Sequence, residues 1–72
     1  MTILDFLQKA DEAGLMCTYK KGRIFVARRG RGAASVFVHD NGWATRADID
    51  QTLAKGMRLD EAAKVLGIKV VS

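Results

Sequence analysis

The chain has no proline, one cysteine, one histidine and one tryptophan, and each shortage removes a class of explanation. With Cys17 alone there is no internal disulfide and no zinc site built from cysteines. With His39 alone there is no imidazole pair for a metal or a proton relay. A Cys17–His39 nucleophile would have to join strands that are not obvious neighbours. Gly30 and Gly32 lead toward a strand rather than a helix, so they do not form a phosphate-cradling loop. No apolar run approaches the ~20 residues that span a bilayer, and the start Met1-Thr2-Ile3-Leu4-Asp5 has no basic leader. These absences lead to the expectation of a cytoplasmic, non-enzymatic chain with no cofactor, metal, membrane or small-molecule substrate. Cys17, in an apolar strand-like stretch, is expected to be a packed, unreactive thiol.

What is present fits one small α+β domain over residues 1–72, with 49% apolar and 28% charged residues. Ile3, Phe6, Leu7 and Ala10 recur at the spacing of one buried helix face, Thr2 and Asp5 form a capping-box pair, and Gly14 is the stop. Three strands follow, over Leu15 to Tyr19, Arg23 to Arg28 and Ala34 to His39, with turns at Lys20-Lys21-Gly22, Gly30 to Gly32 and Asp40-Asn41-Gly42. Trp43 and Ala44 offer a brief fourth strand. Thr45 and Asp48 repeat the capping spacing and predict a helix ending at Gly56, with Ile49 and Leu53 on one face and Asp48 and Asp50 in its first turn. A last helix covers Asp60 to Leu66, with Leu59, Ala62, Ala63 and Leu66 inward and Gly67 as its stop, followed by an apolar tail, Ile68 to Val71. The expected order is α-β-β-β-α-α, a three-stranded antiparallel meander with helices on its single apolar face.

Three resemblances to nucleic-acid-binding families arise. Leu59-Asp60-Glu61-Ala62-Ala63-Lys64-Val65-Leu66-Gly67-Ile68 resembles the first helix and turn of a helix-turn-helix domain. Arg58 replaces the usual Ser or Thr cap, and Lys69 to Ser72 are too few residues for a recognition helix. The stretch is therefore read as a small-residue helix packed on the core. Lys21-Gly22-Arg23-Ile24-Phe25-Val26 resembles the main signature of RNA-recognition motifs, but Arg23 and Arg28 stand where that family has aromatics. Phe25 is accordingly read as a core residue. The α-β-β-β-α order resembles the double-stranded-RNA-binding domain, without the lysine cluster that family carries at the start of its last helix.

The charge pattern is the strongest functional signal. The formal net charge is +4, and half of the 12 basic residues, Lys20, Lys21, Arg23, Arg28, Arg29 and Arg31, lie in one window without an acid. In a meander that window splits into two ends of the middle strand, roughly 20 Å apart and beyond a Debye length of ~8 Å. Lys20, Lys21 and Arg23 share their end with His39, Asp40 and Trp43, where Asp40 is expected to offset part of the charge. Arg28, Arg29 and Arg31 form the glycine-flexed end and are the first candidates for contact with phosphates or an acidic protein surface. The leading expectation is a nucleic-acid-binding or regulatory module. The alternative is a small protein-binding inhibitor or adaptor of phage or mobile-element type, which acts on a host protein complex. Trp43 is either a cover for one end of the core or an interface anchor.

Overall fold

The computed structural model describes residues 1–69 and opens with the helix that the capping signals predict, α1 (Ile3–Glu12). The Thr2 side chain accepts from the Asp5 N–H, and the Asp5 carboxylate accepts in return from the Thr2 N–H. Two otherwise unpaired donors of the first turn are thereby satisfied. Phe6 and Ala10 are the fully buried positions of this helix.

Four strands follow as a sequential antiparallel meander: β1 (Met16–Lys20), β2 (Arg23–Ala27), β3 (Ser35–His39) and β4 (Ala44–Arg46). A second helix, α2 (Leu59–Val65), completes the α+β fold. Both helices pack on the same side of the sheet. Phe6 and Ala10 of α1 and Leu59, Ala62 and Ala63 of α2 share one buried cluster with Val26, Val36, Val38 and Ala44, joined by Leu66 and Ile68. Of the expected apolar tail, Ile68 packs in this core, and Val70 and Val71 lie outside the described residues.

The helix predicted from Thr45 to Gly56 does not form. Thr45 pairs with Phe37 and Arg46 with Val36, so the brief fourth strand runs over Ala44–Arg46 and leaves Trp43 outside it. Met57 exchanges both backbone hydrogen bonds with Ala44, at 2.9 and 2.7 Å, and covers the outer edge of β4. The intervening residues fold as turns. Asp50 accepts from the Thr52 N–H and hydroxyl, and the Gln51 amide donates to the Arg46 and Ile49 carbonyls. A helix of about ten residues is marginal without tertiary support. Ile49 and Leu53, 43% and 71% exposed, supply no buried face. Side-chain bonds to the backbone and the strand pairing therefore decide this segment.

Both helices end in the same way. The Gly14 N–H bonds to the Asp11 carbonyl and the Leu15 N–H to that of Ala10; Gly67 and Ile68 make the equivalent bonds to Lys64 and Ala63. Each is a Schellman turn with a left-handed glycine (φ +79° and +77°) followed by an apolar residue that folds back on the core.

Candidate nucleic-acid interface

Successive residues of a strand point to opposite faces of a sheet. Ile24, Val26, Val36, Val38 and Ala44 face the helices, so the residues between them face away. The strand register arranges these outward residues in rows across the sheet. One row is Lys20, Arg23 and His39, and the next is Thr18, Phe25, Phe37 and Thr45. Two residues of strand separate the rows, about 7 Å.

The second row is the feature that the sequence reading missed. Phe25 is not in the core: its ring lies on the outer face beside Phe37, with centroids 5.6 Å apart and planes tilted by 54°. Both rings are half-buried, and neither belongs to the cluster under the helices. The Arg23 guanidinium sits 3.9 Å from the centroid of Phe37, within cation–π range. The signal was present in the apolar triplets Ile24-Phe25-Val26 and Val36-Phe37-Val38. Three consecutive apolar residues of a strand cannot share one face, and in both triplets the aromatic is the one turned away. His39 closes the first row, and its Nε2 lies 2.9 Å from the Thr45 hydroxyl, so its ring is engaged rather than simply solvated.

Lys20 and Arg23 face each other across the closing pair of the β1–β2 hairpin, whose two-residue turn is Lys21-Gly22. Both turn residues have positive φ, +45° and +81°, which makes the turn type I′. Lys21 is the only non-glycine residue at positive φ among those described. Asn, Asp or Gly is the ordinary occupant of that position. Asp40, expected to offset this end, forms no ion pair with Lys20, Lys21 or Arg23; among the described residues the one side-chain ion pair is Arg46–Asp48. There the guanidinium reaches both carboxylate oxygens, at 2.7 and 2.5 Å, and holds the Asp48 carboxyl below the usual range.

At the arginine-rich end two of the three side chains make contacts within the fold. Arg28 Nη1 donates to the Leu66 carbonyl at 2.7 Å, and Arg29 Nε donates to the Gly14 carbonyl at 3.1 Å. Two consecutive arginines thus each reach the C-terminal turn of one helix, where carbonyls are unpaired and the helix dipole is negative. Arg31 makes no side-chain hydrogen bond among the described residues. The two ends of β2 remain separate, as the meander requires.

Trp43 is 45% exposed and outside the core cluster. Its ring packs near Gly56, with the Arg58 guanidinium 5.8 Å from its centroid. Met1, Gly42, Arg58, Leu59 and Asp60 complete a shallow cleft of about 240 Å³.

Cys17 is exposed on β1, not packed. It lies on the helix side of the sheet, two strands from His39, which faces the other way. Partial burial of the thiol and the nearby Asp11 push its pKa up. Iodoacetamide should therefore label Cys17 to completion in the native state, with a rate-versus-pH midpoint above that of a free cysteine. A midpoint below it would contradict this environment.

Among the described residues no helix is long and apolar enough to cross a membrane, and no cluster of metal-ligating side chains occurs. Comparison with protein-family models, curated proteins and solved structures finds no match.

Proposed function

We propose that the chain is a non-enzymatic basic module that binds nucleic acid, with Lys20, Lys21 and Arg23 contacting phosphates and Arg31 adding a contact from the opposite end. The supporting observation is Lys21. It occupies a left-handed turn position where Asn or Gly relieves roughly 1 kcal/mol of backbone strain, so the hairpin itself does not call for lysine. Residues held in strained backbone cluster at ligand-binding positions, and this one is an exposed cation at a turn tip. Its neighbours Lys20 and Arg23 have no ion-pair partner among the described residues, whereas Arg28, Arg29 and Arg46 are already engaged internally.

Lys21→Asn separates the two demands on this position. It should raise the melting temperature while weakening nucleic-acid binding. Lys20→Ala, Lys21→Ala and Arg23→Ala combined should also flatten the dependence of log K on log salt by about 2, from ~0.7 per phosphate contact on a single strand. Unchanged affinity and slope in the triple variant would overturn the assignment.

A second reading, a small protein-binding inhibitor or adaptor of phage or mobile-element type, draws on the half-exposed Trp43 in its cleft. It requires a stoichiometric partner that survives nuclease treatment and is lost on Trp43→Ala.

A further inference from the structure

We propose that the outer face of the sheet is a stacking platform for single-stranded nucleic acid, taking two unstacked bases in the row of Phe25 and Phe37. The proposal rests on the nucleic-acid reading above and names the form of nucleic acid and the way it is held.

Four observations converge on it. First, the platform has the two components that sequence-tolerant single-strand binding needs, aromatic faces and an adjoining cationic track. Phe25 supplies one face, and Phe37 carries the planar Arg23 guanidinium that supplies the other. Lys20 and Arg23 lie one row away, about 7 Å along the strands, with Lys21 at the turn beyond them.

Second, the ring spacing fits separated bases. Neighbouring bases of a B-form strand rise about 3.4 Å. The two ring centroids are 5.6 Å apart and their planes are tilted by 54°, and Arg23 lies over Phe37, so one base on Phe25 and the next on the guanidinium above Phe37 can both be held only after parting from one another. A paired duplex resists that separation, and an unpaired strand does not.

Third, Arg23 is prepared for both roles. Its guanidinium is seated on the Phe37 ring, which fixes a planar cation whose outer surface can receive the second base while its N–H groups reach a phosphate.

Fourth, the helices are poorly suited to a duplex groove. Among their own residues, α1 carries Asp5, Asp11 and Glu12 against Lys9, and α2 carries Asp60 and Glu61 against Lys64. Acid-rich helices repel phosphates, and the apolar faces of both are already committed to the core.

The experiment is a fluorescence-anisotropy titration of the full chain. The probes are oligothymidylate, oligouridylate and a mixed-sequence DNA duplex of equal length, at several salt concentrations between about 50 and 200 mM. The variants are Phe25→Leu, Phe37→Leu and Arg23→Lys, each checked for folding by thermal melting. The proposal expects single strands to bind more tightly than the duplex. Each Phe→Leu change should weaken single-strand binding about 5- to 100-fold with the salt slope intact, because stacking is lost and charge is not. Arg23→Lys, which keeps the charge but removes the planar surface, should also weaken binding at constant slope. The oligothymidylate and oligouridylate arms identify which single strand is preferred.

Equal affinity for single strands and duplex, or Phe and Arg23→Lys variants that bind as well as the parent, overturns the platform. If the Lys20, Lys21 and Arg23 alanine variant still loses binding in that case, the phosphate-contact reading stands alone. Absence of binding to all three probes removes both.

Discussion

Leu66→Ala is expected to lower the folding free energy by about 3 kcal/mol or more, shifting the urea midpoint sharply downward with little change in slope. Leu66 is 0% exposed, among the largest fully buried side chains of the domain, and closes the last turn of α2. Its neighbours in the cluster come from α1, the central strands and α2, so no one element can relax into the space it leaves. A domain of 72 residues has only about 4–11 kcal/mol of stability to lose. The variant therefore surrenders a large share of it and is expected to be partly unfolded at physiological temperature. Far-UV circular dichroism in urea gives the measurement. A midpoint within experimental error of the parent would mean that the end of α2 does not pack as described.

The same turn shows which parts of the molecule can be read from local sequence. Thr2 with Asp5, Gly14 and Gly67 carry their own physical reasons, a reciprocal cap and two left-handed stops, and each occurs where expected. The strand triplets and hairpin turns are equally local. Thr45 and Asp48 present the same capping spacing, yet what decides their segment is distant: the pairing of Thr45 with Phe37 and of Ala44 with Met57. Local spacing cannot register a strand partner. The site divides along the same line. Turn positions in a meander locate the two cationic ends of β2. That Arg28 and Arg29 are taken up by helix ends depends on contacts across 38 and 15 residues, which no window of sequence contains. The outward aromatic pair is an intermediate case, since alternation within each triplet turns Phe25 and Phe37 away from the core, but only the register sets them side by side.

Gly67→Ala combined with Arg28→Ala tests whether the arginine end serves the fold. Gly67 has φ +77°, where a Cβ costs roughly 1–2 kcal/mol whatever the surroundings. An added Cβ there would also collide with Arg28 Nη1. That nitrogen is the tip of a flexible side chain, but it is held by its bond to the Leu66 carbonyl at 2.7 Å, so moving it forfeits a charge-assisted hydrogen bond. Such a bond contributes about 1.5–3 kcal/mol. Gly67→Ala alone should therefore cost about 2.5–5 kcal/mol. In an Arg28→Ala background the bond is already gone and no guanidinium remains to be displaced, so the same substitution should cost only the backbone part, about 1–2 kcal/mol. The coupling energy from the double-mutant cycle should be at least about 1 kcal/mol. Additive costs would place Arg28 away from Gly67 and return it to the pool of cations free for phosphate. The two roles have separate signatures in one set of variants. An arginine that holds a helix end changes the melt when removed, whereas an arginine that holds phosphate changes the salt dependence of binding. Arg28→Ala is expected to show the first far more strongly than the second, and Arg31→Ala the reverse.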